Sequence, residues 1–495
     1  MEKTLLNKVE MVAELLVPSL APNSQVDDGC NVTPQGVDQS NGPKSCPPFF
    51  PIKLMLCLLL LGLTACVSLE SAAETAADPN AAITIQVDVD SSRGEISPYI
   101  FGTNYGPWVS LRPETLPLAE AGGFTSVRYP GGEFGDKNKL RSYQIDQLVD
   151  LSRRMGAEPY IHVRLPGSSP EEAAEAVQYA NIDNDYAIKF WSIGNEPSLY
   201  AGAEIGKGWI RDVVWDTTYF NEQWRLYAEA MKEVDPSIVL MGPELHQWSN
   251  APGIAPTDPS GRDWMTEFLK ANGDMVDVVT FHRYPFPNNA ERSAAKIPDL
   301  RANPTEWESI VPAIRELIRE TTGRDMPIGV TEINSHWSLS LGGEGTSDSF
   351  YHAIWWADVL ARMVNQRVDY VNQFVLTGNA LGLIGKYDAL PSYYVYPMYK
   401  GLGDQLLASA SGDPMVSSVA ALRDDGKITI LLVNRDSESK RMILDASIGE
   451  IEEALLFDKD HNAESVDPNS ILQPTANPSL ALPAESIIFL LFSPN

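Results

Sequence analysis

From residue 83 onward the chain moves between two hydrophobic rhythms. Ile83-Thr84-Ile85-Gln86-Val87-Asp88-Val89 alternates apolar with polar residues, the period of a half-buried strand. Ile96–Asn104 is a second apolar run that opens into a loop. Beyond it, short apolar runs alternate with stretches of helical period. Phe124–Tyr129 predicts a strand ending in Pro130-Gly131-Gly132, and Ser142–Met155 puts Ile145, Leu148, Val149 and Met155 on one helical face. Pro159–Val163 is the next strand. Ser169-Pro170-Glu171-Glu172 then supplies a helix start: a serine cap, a proline in the first turn and a glutamate at the capping-box position.

Ala187–Ile193 predicts a buried strand that gives way to Gly194-Asn195-Glu196-Pro197, since Pro197 has no N–H for a ladder. In the helix expected over Tyr219–Val234, Phe220, Trp224, Tyr227, Met231 and Val234 share a face. Strands follow at Ser237–Met241 and Val276–Phe281, the latter running into His282-Arg283-Tyr284-Pro285. Trp307, Ile310, Val311, Ile314, Leu317 and Ile318 mark a helix stopped by Gly323. Pro327–Thr331 is a strand that ends in Glu332, and a helix over Phe350–Val364 leads to a last strand, Tyr370–Leu376.

Eight strands, near residues 100, 127, 161, 190, 239, 279, 329 and 373, alternate with helices over about 300 residues. That is the pattern of an α/β fold closed as a (β/α)8 TIM barrel. An open doubly wound sheet competes, but it would carry a glycine-rich phosphate loop after its first strand, and no GxGxxG stands there. After about Gly401 the helical period stops. Val416–Leu422, Ile428–Val433, Met442–Ala446, Ala454–Phe457 and Ile487–Phe492 are short strands, with Asp424-Asp425-Gly426 as a hairpin turn. They predict an appended C-terminal antiparallel β-sandwich, which the strand at 83–95 is placed to join. The expected division is therefore 83–95 with the sandwich, 96–400 the barrel and 401–495 the sandwich.

The N-terminal stretch has a different character. Lys53 precedes a short apolar run, Leu54–Leu63, and then Thr64-Ala65-Cys66. This is secretory-signal anatomy, too short to span a bilayer comfortably. Leu63-Thr64-Ala65-Cys66 resembles a bacterial lipobox, which implies cleavage before Cys66 and lipidation of it, with a plain signal peptide as the alternative. Signals begin near a chain's start, so an initiation site downstream of Met1 is expected. Residues 1–66 are set aside from the fold, and 67–82, rich in Ala, Ser and Glu, read as a flexible tether. The expected location is export, as a cell-surface or outer-membrane lipoprotein of a bacterium or as a secreted protein.

Charge and cysteine content narrow the chemistry. The formal charge of −29 argues against nucleic acid and against anionic lipid surfaces, leaving membrane contact only through a lipid anchor. The four cysteines all fall within the first 66 residues, so the rest of the chain has no disulfide, thiol nucleophile or thiolate metal site. No cluster of His, Asp and Glu shows convincing metal spacing, and no cofactor is expected. With 11 Trp and 18 Tyr the chain is well supplied with faces that stack on sugars, although core packing is their commoner use.

Two glutamates carry the chemistry. In such a barrel, reactions occur at the C-terminal ends of the strands. Glu196 follows the fourth strand and Glu332 the seventh, 136 residues later, so only a closed barrel brings them together. Two carboxylates across a cleft are the equipment of glycosidic cleavage: one donates a proton to the leaving oxygen, the other attacks the anomeric carbon.

Asn195-Glu196-Pro197 at the fourth strand and Thr331-Glu332 at the seventh resemble glycoside hydrolase clan A, whose members are retaining (β/α)8 enzymes. The resemblance covers roughly residues 96–400. It implies that Glu196 is the acid/base, that Glu332 is the nucleophile, and that Asn195 bonds the hydroxyl beside the anomeric carbon. Arg128, at the end of the second strand, is placed to pair with the nucleophile. His282 and Tyr284, two apart and so on one face, are candidates to hold the nucleophile or bind sugar. Glu244 is a third carboxylate and a candidate substrate contact, and Trp337 a candidate stacking platform. Asn104 and His162 complete the set.

The family-level resemblance is mixed. Arg128-Tyr129-Pro130-Gly131-Gly132 and Ile193-Gly194-Asn195-Glu196 resemble family 51 arabinofuranosidases. Asn195-Glu196-Pro197-Ser198-Leu199 is closer to family 39 xylosidases. Ile96–Asn104, Gly242-Pro243-Glu244 and Thr331-Glu332-Ile333-Asn334 resemble family 44 endoglucanases. The expected activity is retaining hydrolysis of plant cell-wall polysaccharides or oligosaccharides, by endo-cleavage of β-glucan or xyloglucan or by arabinofuranoside or xyloside removal. The alternative from another class is a surface lipoprotein that binds carbohydrate without cleaving it.

Overall fold

The computed structural model describes residues 82–200, 213–286, 295–337, 339–444, 448–473 and 479–493. The signal segment with Cys66 and all but the last residue of the 67–82 tether lie outside the described residues.

The first strand, β1 (Ile83–Glu95), stands apart from the barrel. The next eight close on themselves: β2 (Gly102–Asn104), β3 (Ser126–Tyr129), β4 (Glu158–Val163), β5 (Phe190–Ile193), β6 (Val239–Leu245), β7 (Val278–Arg283), β8 (Ile328–Ile333) and β9 (Tyr370–Gln373). All neighbouring pairs are parallel, and β9 pairs back onto β2. The eight expected strands and the (β/α)8 closure are therefore present. Some ends move. β5 starts at Phe190 rather than Ala187, because Asp185 and Ala187 sit at φ 52° and 57°, outside the extended region. β9 stops at Gln373; beyond it the Phe374 N–H donates to the Ile333 carbonyl at the end of β8, the Val375 N–H to Leu381 and the Leu376 N–H to Asn104 at the end of β2.

The helices form where the period placed them. Ser169 caps the helix Pro170–Val177 by accepting from the Glu172 N–H at 3.3 Å. The helix Thr217–Val234 buries Phe220, Trp224, Tyr227 and Met231, and Gly323 ends Trp307–Thr322 in the left-handed conformation. Inside the barrel, Tyr160, Phe190, Met241, Val278 and Tyr370 form a plug with Tyr99 against it. Tyr99 stacks on Tyr370 with ring centroids 5.3 Å apart. The barrel is a packed core with its chemistry confined to the upper rim.

Two irregularities shape that rim. In β6 the register with β7 shifts between Pro243 and Leu245, leaving Glu244 as the extra residue at φ 59°. In β8 the register with β7 jumps from Val330 to Glu332, leaving Thr331 extra. Strict alternation would send neighbouring side chains to opposite faces; these bulges let Glu244, Thr331 and Glu332 all reach the barrel mouth.

The C-terminal region is a ten-stranded, mostly antiparallel sheet. It comprises β1 with β10 (Gln405–Ser411), β11 (Val416–Leu422), β12 (Ile428–Asn434), β13 (Lys440–Leu444), β14 (Ile451–Phe457), β15 (Asn462–Val466), β16 (Leu472–Gln473), β17 (Ser479–Leu482) and β18 (Ser486–Phe492). β1 joins it between β10 and β13, parallel to β13. β10, β15, β16 and β17 were absent from the sequence reading; β10 and β15 are rich in Ala, Ser and polar residues and carry little apolar alternation. This region is pinned to the barrel helix Phe350–Asn365: Asp358 Oδ2 lies 3.0 Å from both Arg362 Nε and Arg435 Nε and is fully buried.

Candidate active site

Glu332 lies at the centre of the barrel mouth. Its Oε1 accepts from Arg128 Nη1 at 2.7 Å and from the Gly132 N–H at 2.9 Å, and its Oε2 accepts from the Tyr284 hydroxyl at 2.8 Å. Gly132 has a local reason to be glycine. It sits at φ 63° and ψ −165°, a region essentially closed to other residues, and this turns its N–H onto the carboxylate. The Pro130-Gly131-Gly132 stretch thus does more than terminate β3.

Glu196 follows β5 at φ 52°, also left-handed, and its backbone N–H donates to the Glu244 carbonyl at 2.9 Å. Its Oε1 lies 2.9 Å from His282 Nδ1. Carboxyl oxygens of Glu196 and Glu332 and a ring nitrogen of His282 all fall within 4.8 Å of one another. These are the one group of described His and acidic residues close enough to share a cation. Positive charge already reaches both carboxylates there, from Arg128 and His282.

Glu244 is wholly buried between these groups. Its Oε1 accepts from the Tyr160 hydroxyl. Its Oε2 accepts from Thr331 Oγ1 at 2.7 Å, meets His282 Nε2 at 2.9 Å and lies 3.1 Å from Arg128 Nη2. Asn104 and Asn195 complete the collar: Arg128 Nη1 donates to Asn104 Oδ1 at 3.0 Å and Nη2 to Asn195 Oδ1 at 2.8 Å. The Asn195 N–H is fixed in turn by Asp136 Oδ1 at 3.1 Å, and Asp136 also meets Tyr200 and His162.

Burial opposes charge on all of these groups, and the partners decide the outcome. Burial disfavours the Arg128 cation, but Glu244 and Glu332 beside it raise its pKa. Burial pushes the Glu244 carboxyl up, yet Arg128 and His282 hold it well below the usual carboxylate range. Burial likewise pushes Glu196 up, and His282, followed by His246, reverses the sign and lowers it. Burial disfavours the His282 imidazolium, but Glu332, Glu196 and Glu244 raise it to about 9. Three carboxyl groups, Glu196, Glu244 and Glu332, thus face two basic groups, Arg128 and His282.

Of the residues singled out in the sequence, Asn104, Arg128, Asn195, Glu196, Glu244, His282, Tyr284 and Glu332 meet in this network. Glu244, expected as a substrate contact, has both oxygens taken by protein groups. His162 supports the rim through Pro130 and Asp136. Trp337 lies outside the network and is 44% exposed. Sequence reasoning missed Tyr160 and Asp136, and read Thr331 and Gly132 only as parts of motifs. Tyr160 had a signal, standing two residues before His162 on one strand face.

No family model matches the chain. Among curated proteins it is similar to an intracellular exo-alpha-(1->5)-L-arabinofuranosidase of Streptomyces lividans. The two are 23% identical over 246 residues, covering 41% of this chain and 33% of that protein, so the match spans about a third of the relative's length. The described fold is close to several solved glycosidases. A family 51 alpha-L-arabinofuranosidase from Bifidobacterium longum aligns with TM-score 0.64 and 17% identity over 83% of this chain and 99% of its own. A glycoside hydrolase family 44 xyloglucanase from Paenibacillus polymyxa gives 0.63 and 15% over 84% and 100%. A bifunctional glucanase-xylanase from a metagenome library gives 0.66 and 16% over 84% and 100%. The chain therefore has the barrel-plus-sandwich fold of clan A glycoside hydrolases.

Proposed function

We propose that the protein is a retaining glycoside hydrolase acting on plant cell-wall polysaccharides or oligosaccharides. The observation that carries this reading is the approach of Glu196 and Glu332 to within 4.8 Å, oxygen to oxygen, at the barrel mouth. Double displacement uses carboxyls about 5–5.5 Å apart, whereas inversion needs about 6.5–9.5 Å to admit a water. Glu332 has the surroundings of an attacking anion, with Arg128, the Gly132 N–H and Tyr284 all donating to it. In the first step Glu196 protonates the glycosidic oxygen while Glu332 bonds to the anomeric carbon. In the second, Glu196 takes a proton from water, which releases the sugar from Glu332. On this reading Asn195, whose Oδ1 accepts from Arg128 Nη2 at 2.8 Å, bonds the neighbouring hydroxyl.

The similar proteins divide between arabinofuranosidases on one side and a xyloglucanase and a glucanase-xylanase on the other, and both substrate classes stand as proposals. A cavity of about 300 Å³ between the loops after β2 and β9, lined by Ser110, Arg112, Thr377, Asn379 and Lys386, is a candidate for a further sugar unit. The test is a panel of aryl glycosides and cell-wall polysaccharides given to wild type and Glu332→Gln. Sugar release by wild type alone supports the reading; no release from any substrate overturns it. We further propose export with a lipid on Cys66. Palmitate incorporation that persists in Cys66→Ser would contradict that.

A further inference from the structure

We propose that Glu244 is a positioning residue that fixes the tautomer of His282 and thereby decides which imidazole nitrogen exchanges a proton with Glu196. The proposal rests on the glycosidase reading and adds to it how the acid/base is supplied with its proton.

Glu244 cannot act on substrate directly. It is 0% exposed, and Tyr160, Thr331, His282 and Arg128 take up both of its oxygens. Arg128 Nη2, 3.1 Å away, keeps the buried carboxylate ionised, and an ionised carboxylate has no hydrogen to give and acts only as an acceptor. His282 Nε2, 2.9 Å away, must then carry a hydrogen whatever the charge of the ring. The nitrogen left to titrate is Nδ1, which faces Glu196 Oε1 at 2.9 Å and lies 3.8 Å from Glu332 Oε2. Glu244 also accepts the Glu196 N–H on its own carbonyl, so one bulged residue sets both the backbone of the acid/base and the ring beside it.

The proton balance closes within the site. The Nδ1–H bond of the imidazolium breaks as an O–H bond forms on Glu196, leaving neutral His282 with hydrogen on Nε2. Glu196 passes that proton to the leaving oxygen. In the second step the proton taken from water by Glu196 returns to Nδ1. No outside acid, base or oxidant is needed.

The test is nitrogen NMR of the folded protein with labelled histidine, of which the chain has six. In wild type, the expected result is that His282 Nε2 stays protonated through the titration while Nδ1 loses its hydrogen. A neutral form protonated on Nδ1 would overturn the proposal without any variant or any activity. In Glu244→Gln, of similar shape, His282 is expected to titrate at least one pH unit lower. The alkaline limb of kcat/KM should move with it, and poor leaving groups should lose at least tenfold more rate than activated aryl glycosides. An equal loss on all substrates with an unmoved pH profile would mean a structural role only, and would also overturn it. If wild type cleaves no glycoside, the enzymatic reading falls while the NMR result still decides the tautomer.

Discussion

The backbone N–H of Glu196 donates to the carbonyl of Glu244 at 2.9 Å, and both residues are left-handed, at φ 52° and 59°. A residue with a Cβ pays about 1–2 kcal/mol for that conformation, a cost glycine escapes. The strain aims Glu196 at the cleft. Glu196→Gly is therefore expected to be more stable than Glu196→Ala by about 1 kcal/mol, although both lose the same carboxylate. Denaturant unfolding of the pair checks this. Equal stabilities would mean that the left-handed turn carries no strain.

Gly132 supports Glu332 as Glu244 supports Glu196. Gly132→Ala places a Cβ on a backbone at φ 63°, ψ −165° and near the Phe374 ring. The expected cost is about 1–3 kcal/mol if the turn holds. If it relaxes, Glu332 loses its N–H donor and kcat falls about tenfold or more. Thermal melting and kcat measured together separate the two, and a variant unchanged in both would contradict the assignment.

The barrel, its strand order and the facing glutamates were legible because their signals are local. An apolar run ending in Asn195-Glu196-Pro197, and another ending in Glu332, need only be counted to be placed on opposite sides of a closed sheet. Glu244 could be seen as a carboxylate at a strand end, but not as a buried one. Its role depends on the bulge between Pro243 and Leu245, where one extra residue changes which face a side chain takes. Thr331 was legible only as part of a motif, and its bond to Glu244 was hidden for the same reason. β10 and β15 were missed because they carry little apolar pattern of their own, although each pairs with its neighbour in sequence, β11 and β14.

The charges in the site set a pH window for stability. His282 holds its proton more tightly when folded, so its contribution is complete below about pH 6.5 and is lost as pH rises through about 9. Glu244 and Glu196 are shifted the other way. Their contribution is present above about pH 4.5 and is lost as pH falls through their folded values. The melting temperature should therefore be highest between about pH 4.5 and 6.5. In His282→Gln the decline toward pH 9 should be weaker. An alkaline limb identical in both proteins would contradict the assignment.

The sheet is expected to depend on Asp358. Asp358→Ala leaves Arg435, 2% exposed, without its carboxylate, and removes the acceptor of Ser417 Oγ. Breaking such a buried pair costs about 3–5 kcal/mol. The melting temperature should drop while kcat at low temperature is kept, since no catalytic group touches this contact. A loss of kcat at a temperature where the variant is still folded would show coupling between the sheet and the barrel mouth.

The central claim is that Glu332 forms a bond to the anomeric carbon. The most direct measurement is mass spectrometry of peptides from protein inactivated by a 2-deoxy-2-fluoro glycoside with an activated leaving group, in the sugar series that the panel identifies. The account predicts one added glycosyl group, carried by the peptide containing Glu332 and absent when Glu332→Gln is treated in the same way. A label on any other residue, or turnover of the true substrate with inversion at the anomeric carbon, would contradict it.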